Sequence, residues 1–322
     1  MNKCKFKPLI FMIKNDIISR LNEVNMKKEF RDLCVSNKEE ANLILLGLPF
    51  DEGCSCGKGS SEAPKVMREL SYFLPAFSMN GSDIRGIKIY DAGNVESGND
   101  FYERVKAKAD EVFSFNKFNL FLGGDHSVTI PLQQSFLDKA LKEHKTPVII
   151  HIDAHPDICD FYDGSSYSHA CTNRRAIDHG YETNNITLIG IRGYEEYEVE
   201  FLNSHPELKV YQASYLNEFG YTALINDLVS RFGHDNYAIY LSYDIDANDP
   251  SFAPGTGTPE AFGLNSNQLM LCIKELFTKL PIEAMDIVEV SPTLDCNNIT
   301  SWLALKTLYE VFEILQKKKE LK

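Results

Sequence analysis

From about Asn42 onward, short apolar runs rich in β-branched residues alternate with longer amphipathic stretches. No other feature constrains the fold as much. A continuous apolar run bounded by turn residues reads as a strand buried on both faces, and parallel neighbours require a crossover long enough for a helix. Eight strand candidates follow in order: Leu43–Leu46, Ile87–Tyr90, Asn119–Leu122, Val148–Ile152, Ile186–Ile191, Lys209–Tyr211, Tyr237–Leu241 and Ile282–Val290. Helical periodicity fills most of the gaps. The last helix sets Leu305, Leu308, Phe312 and Leu315 on one stripe. Lys317, Lys318 and Lys319 then fall near its C-terminus, where cations suit the helix dipole. This pattern predicts an α/β protein with a parallel or mostly parallel sheet covered on both faces. No Pro/Gly/Ser-rich linker divides the chain, so a single domain is expected.

Composition removes several function classes. Of 322 residues, 43% are hydrophobic and 11% aromatic, too apolar for a disordered chain. Lys and Arg number 33 against 46 Asp and Glu, a formal charge of −13 that lacks the basic footprint of nucleic-acid binding. The longest apolar run, from Leu43 to Phe50, is far short of the ~20 residues of a membrane-spanning helix. Eight scattered cysteines without a Cys-x-x-Cys pair read as reduced thiols of a cytoplasmic protein. Lys3, Lys5 and Lys7 followed by Pro8 to Ile13 mimic a signal peptide, but the apolar stretch is too short and no small-residue cleavage site follows.

Ligands of open α/β sheets bind outside the carboxyl ends of the strands. After Asn119–Leu122 comes Gly123-Gly124-Asp125-His126-Ser127, where two glycines are expected to adopt unusual dihedrals and deliver His126 to the strand exit. After Val148–Ile152 comes Asp153-Ala154-His155-Pro156-Asp157. Residues i, i+2 and i+4 of an extended segment face one side, so Asp153, His155 and Asp157 should converge. His151, just upstream, is assigned to the core. After Tyr237–Leu241, Asp244 and Asp246 alternate with apolar residues and should point together. Four carboxylates and two imidazoles so gathered repel one another and are costly to desolvate without a cation. Their four negative charges roughly balance two divalent ions. The oxygen-rich donor set suits Mn²⁺ best, with Fe, Co, Ni or Zn as alternatives. Two such ions can bridge a water and lower its pKa, the chemistry of a binuclear metallohydrolase.

These residues resemble the ureohydrolase family of arginases, agmatinases and related amidinohydrolases. The matches are Gly-Gly-Asp-His-Ser at 123–127, Asp-Ala-His-x-Asp at 153–157, Ser-x-Asp-x-Asp-x-x-Asp-Pro at 242–250 with its continuation through Pro259, and Glu-Val-Ser-Pro at 289–292. The similarity runs colinearly from about residue 42 to 315. Residues 1–41 remain as an N-terminal extension to a single domain at 42–322, with Met12 or Met26 as alternative starts. The resemblance implies a three-layer α/β/α sandwich around an eight-stranded sheet, holding two manganese ions. One ion would take His126, Asp153, Asp157 and Asp244, and the other His155, Asp153, Asp244 and Asp246. It also implies that Asp157 orients the nucleophile, that Glu289 binds a guanidinium, and that His169 carries a proton to the leaving amine. The implied reaction splits a small guanidino compound, most simply agmatine, into urea and an amine. A homo-oligomer, trimer or hexamer, is implied as well.

The chain departs from this pattern in two places. Ala170 and Cys171 stand where many agmatinases have Gly-Thr, so a differently shaped substrate loop is expected. Lys58–Pro64 replaces an Arg-containing glycine-rich turn. Between Asp157 and His169 the loop offers Asp160 and Asp163 but no cation, which favours an amine tail, although Arg174 and Arg175 follow closely. Alternatives are arginase, guanidinobutyrase or formimidoylglutamase activity. A one-metal, zinc deacetylase-like site leaves Asp157, Asp246 and Glu289 without a role. Against a non-catalytic polyamine-binding relative stands the complete set of six ligands.

Overall fold

The computed structural model describes residues 29–320; Lys3, Lys5, Lys7, the Pro8–Ile13 stretch, Met12 and Met26 lie outside the described residues. All eight apolar runs form strands: β1 Leu43–Gly47, β2 Ile89–Asn94, β3 Phe118–Leu122, β4 Thr146–Ile152, β5 Ile186–Ile191, β6 Lys209–Gln212, β7 Tyr237–Asp244 and β8 Ile282–Val288. Between and after them run α1 Ala63–Ser71, α2 Phe101–Phe113, α3 Thr129–Lys142, α4 Thr172–His179, α5 Glu196–Ser204, α6 Ala213–Phe219, α7 Thr222–Phe232, α8 Ser266–Lys279 and α9 Ile299–Glu320. The strands make one sheet in the order β2-β1-β3-β8-β7-β4-β5-β6. Every neighbouring pair is parallel. No helix among the described residues is long and apolar enough to cross a membrane.

Strand periodicity builds the layers. Successive side chains point to opposite faces. Leu43, Leu45, Leu120, Leu122, Ile239, Leu241, Met285 and Ile287 enter one apolar layer, where Met67 of α1, Leu228 of α7, Leu276 of α8 and Leu308 of α9 meet them. Ile44, Leu46, Phe121, Tyr240, Ala284 and Val288 enter the other, against Val105 of α2 and Phe136 of α3. Ala176 of α4 extends this second layer over Ile186 and Leu188 of β5.

Strand ends differ from the expected bounds where charged residues take part. β2 begins at Ile89 and runs on through Asp91 and Asn94. This polar end holds because buried Arg68 of α1 bonds both carboxylate oxygens of Asp91, at 2.7 and 2.8 Å, and Asn94 Oδ1 at 2.7 Å. β7 continues to Asp244, whereas β8 stops at Val288 because Glu289 adopts φ 59°, outside the strand region. Ahead of β1, Phe30 and Leu33 are fully buried in the first layer, and the Phe30 ring lies 6.4 Å from that of Phe312.

The C-terminal helix is tied down by buried charge. Glu310 accepts from the Met79 backbone N–H at 2.6 Å and pairs with Lys274 of α8. Glu313 pairs with Lys274 at 3.1 Å and with Lys317 at 2.8 Å. Burial alone would raise the Glu313 carboxyl, but hydrogen bonds from Lys317, Ser82 and Lys274 outweigh it and hold the pKa at about 2. A depressed carboxyl stabilises the fold fully above its unfolded value, near 4.5, and the contribution disappears as pH falls through about 2. Glu313→Gln should therefore cost about 1.5 kcal/mol at pH 7, the lower end for hydrogen bonds to a charged group. Urea midpoints should show the gap from wild type closing between pH 4.5 and 2.

Candidate metal centre

Four adjacent central strands, β3, β8, β7 and β4, deliver the site at their carboxyl ends. β3 leads through Gly123-Gly124 to His126. Neither glycine has a positive φ, contrary to the expected unusual dihedrals. They are required for space, since a Cβ on Gly124 would lie 1.7 Å from the Phe50 carbonyl oxygen. β4 ends at Ile152, so Asp153, His155 and Asp157 sit on a bend instead of an extended segment, and Asp157 adopts φ 54°. They converge nonetheless, because the α4 N-terminus donates from Asn173 and Arg174 to the Asp157 carbonyl at 2.8 and 3.2 Å and fixes that bend. Left-handed backbone at Asp157 and at Glu289 is the kind of stored strain that clusters at functional sites.

His126 Nδ1 faces three carboxylates: Asp153 Oδ2 at 3.0 Å, Asp157 Oδ2 at 3.1 Å and Asp244 Oδ2 at 3.1 Å. His155 Nδ1 faces Asp246 Oδ2 at 3.2 Å and Asp153 Oδ1 at 3.5 Å. Asp153 thus presents one oxygen to each half of the cluster. The ligating atoms form two groups close enough to hold an ion, His126–His151–Asp153–Asp157 and Asp153–His155–Asp246. His151 lies within β4, as expected of a core residue, but its Nε2 is 3.0 Å from Asp153 Oδ2 and its ring stacks on His126 at 4.9 Å.

The tautomer of His126 follows from its other nitrogen. Nε2 lies 2.8 Å from Ser242 Oγ, and Ser242 donates onward to Asp286 Oδ1 at 2.7 Å. The hydroxyl must then accept from Nε2–H, which leaves the Nδ1 lone pair for the cluster. Buried Asp286 also accepts from Thr129 Oγ1 and Tyr240 OH at 2.7 and 2.8 Å.

Charge balance tests whether these residues suit a cation. Asp153 Oδ2 and Asp157 Oδ2 are buried and, among the described residues, have no donor within reach except imidazole nitrogens. Burial pushes the Asp244 carboxyl well above its ordinary range, aided by the charges of Asp246 and Asp153. Burial presses His126 toward neutrality, but hydrogen bonds with Asp153, Asp157 and Asp244 outweigh it and raise its pKa well above the usual value. Left to itself, the cluster recruits protons to offset its negative charge. Divalent cations fit that deficit and the two oxygens that only imidazoles face.

The predicted substrate-side residues adjoin the cluster. Glu289 Oε1 accepts from the His126 backbone N–H at 2.8 Å and lies 3.6 Å from His169 Nδ1. Burial, and then the charge of Asp125, pushes the Glu289 carboxyl well up. His169 Nε2 is 2.9 Å from Ser55 Oγ and accepts from Ser55 N at 3.3 Å. The imidazole therefore bridges the loop after β1 and the carboxylate after β8. Ala170 falls in a single right-handed turn, His169–Cys171, that alanine adopts without strain.

Several supporting residues were not singled out from sequence. Asp125 anchors the loop after β1 through Gly53 N at 2.7 Å. Thr258 Oγ1 reaches Asp246 Oδ2 at 3.3 Å. Asp286, fully buried, left one signal, an acid near the centre of a mostly apolar strand.

A doubly covered parallel sheet whose central strands end in a buried carboxylate–imidazole cluster defines an α/β protein built around a metal-competent centre. The chain belongs to the arginase family, whose profile matches residues 41–313. It is 37% identical to the agmatinase of Blochmanniella floridana over 275 residues, 82% of this chain and 85% of that one. It is 30% identical to the guanidinobutyrase of Pseudomonas aeruginosa over 278 residues, covering 84% and 85% of the two chains. The crystal structure of the agmatine ureohydrolase of Thermoplasma volcanium superposes with a TM-score of 0.79 at 31% identity, covering 94% of this chain and 98% of that one.

Removing the hydroxyl that orients His126 tests this geometry. Ser242→Ala should weaken Mn²⁺ binding roughly 10–100-fold, the usual cost of losing an outer partner of a ligand. Titration calorimetry on protein with an unchanged circular dichroism spectrum reads that loss.

Proposed function

We propose that the chain is a binuclear manganese amidinohydrolase that splits agmatine into urea and putrescine. Carrying this reading is Asp153, a single buried carboxylate with one oxygen turned to each half of the cluster. The first ion would be held by His126, Asp153, Asp157 and Asp244, and the second by His155, Asp153, Asp244 and Asp246. When bound, two such ions supply a water acidic enough to ionise at neutral pH.

The chain's own residues do the rest. Glu289 offers its Oε2, beside Gly257, to a planar guanidinium, which pairs well with a carboxylate. Asp157 Oδ2, buried beside His126 Nδ1, would orient that water through a hydrogen bond. His169, within reach of Glu289, carries a proton to the departing nitrogen, without which an amine is a poor leaving group. We further propose that the enzyme works in the cytoplasm as a homo-oligomer, a trimer or hexamer, as its family membership supports.

The charges around the mouth favour an amine tail over a carboxylate. Every cation near it among the described residues is engaged. Lys58 pairs with Glu52 at 2.7 Å, Arg174 pairs with Asp178 at 3.3 Å, and Arg175 pairs with Asp178 at 2.8 Å and with Asp160. Arg192 is bound to backbone carbonyls. Glu260, whose side chain runs past Gly193 beside His155, is a carboxylate available to an ammonium. A guanidino acid would meet repulsion there, and agmatine attraction.

Urea release from agmatine, arginine and 4-guanidinobutyrate, with and without Mn²⁺, tests the assignment. Agmatine should lead in kcat/KM by on the order of 10³ or more, because an unpaired buried carboxylate is costly. Absence of urea from all three in metal-loaded protein would refute it. His169→Asn should lower turnover about 10²–10⁴-fold while metal content stays at the wild-type level. Loss of metal from that variant would instead make His169 a structural residue.

A further inference from the structure

Arg192 follows β5 at the carboxyl edge of the sheet, and its guanidinium contacts six backbone carbonyl oxygens. Nη2 donates to Asp246 O at 2.7 Å, Glu260 O at 2.8 Å and Asn248 O at 3.3 Å. Nη1 donates to Gly190 O and Ala247 O, both at 3.2 Å, and Nε to Ala261 O at 3.1 Å. A guanidinium has five N–H donors in one rigid plane, so its capacity is filled. It makes no ion pair among the described residues, although the charges of Asp246, Asp153, Glu260 and Asp249 act on it.

Three segments meet on this one side chain. They are the end of β5, the turn from Asp246 to Asn248, and the strip at Glu260–Ala261 downstream of Thr258. Asp246 is also held by Ala154 N at 3.1 Å and Thr258 Oγ1 at 3.3 Å, and Arg192 N returns to Ala154 O at 2.8 Å. Arg192 therefore braces the Asp246 backbone, its Asp153–His155 neighbour and the strip after Thr258 together. The His126 half has a separate support, Ser242 and Asp286, that Arg192 does not touch. The fork also packs tightly on Gly263, where a Cβ would lie 2.7 Å from Nη2 and 2.4 Å from Asp249 N.

We propose that Arg192 is a positioning residue for one half of the centre: by fixing the Asp246 turn it sets the affinity of the ion held by His155, Asp153, Asp244 and Asp246, through the two ligands, His155 and Asp246, that this ion does not share with the His126 half. This rests on the two-ion reading above. Lysine keeps the charge but carries three donors on a single nitrogen, so it cannot span six carbonyls set around a plane.

Mn²⁺ titration of the metal-free full chain by calorimetry, with electron paramagnetic resonance of the loaded protein, separates the outcomes. Wild type should bind two ions and show the exchange-coupled spectrum of a manganese pair. Arg192→Lys should keep one ion at wild-type affinity and bind the second roughly 10–100-fold more weakly. At two equivalents its spectrum should then be mainly that of isolated Mn²⁺. Two ions at wild-type affinity in the variant, or equal weakening of both, would overturn the proposal. If Arg192→Lys does not fold, Arg192→Gln, which keeps a planar two-donor amide without the charge, is read by the same criteria. A single ion in wild type would remove the two-ion reading itself, and this inference with it.

Discussion

Four carboxylates buried at the end of a parallel sheet repel one another, and the surrounding structure is arranged to make that repulsion tolerable. A lone buried charge is among the costliest things a fold can contain. Here Asp153, Asp157, Asp244 and Asp246 are all nearly inaccessible to solvent. Three imidazoles, those of His126, His151 and His155, and backbone N–H groups surround them, an arrangement that a divalent cation completes. The raised Asp244 and His126 pKa values express the same deficit from the protein side. The chain accepts poor local electrostatics where it needs an electrophilic centre, which is where a fold is expected to break its own rules.

The supports of the cluster are asymmetric. On the β3 side a serine hydroxyl and a saturated aspartate orient one imidazole; on the β5 side a single guanidinium gathers backbone carbonyls. Both use strongly directional groups, but only the first acts on a ligand's side chain. The second acts on the main chain, and so couples the centre to the loop strip that shapes the mouth. Substrate selection and metal retention therefore share structural elements while drawing on different residues of them.

The eight strands were legible in the sequence because a strand covered on both faces must be apolar throughout, and such runs are rare elsewhere in the chain. Their ends were less legible. Asp91, Asn94 and Asp244 look like loop residues until Arg68 and the cluster give them partners, and nothing local announces the left-handed turn at Glu289. Five of the six candidate ligands could be read from alternate spacing in two motifs and His126 from a glycine turn, although Asp153–Asp157 converge through a bend held by α4 and not through extension. Ser242 and Asp286 could not be paired in advance, because their contact depends on the β7–β8 register, in which they are direct neighbours. Arg192 was hidden for a related reason: backbone carbonyls carry no sequence signature.

The placement of the candidate ligands at the ends of three central strands, β3, β7 and β4, has a kinetic consequence. Amide protons of such strands exchange only through the largest openings of a fold, whereas loops exchange through small local ones. The ligand-bearing strand ends should move with the slowest cooperative unit of the molecule, and Phe161, Tyr167 and Phe262, all exposed on the loops above, with the fastest. The mouth can then rearrange many times on the timescale of one core fluctuation, admitting a substrate and releasing urea without disturbing the centre beneath.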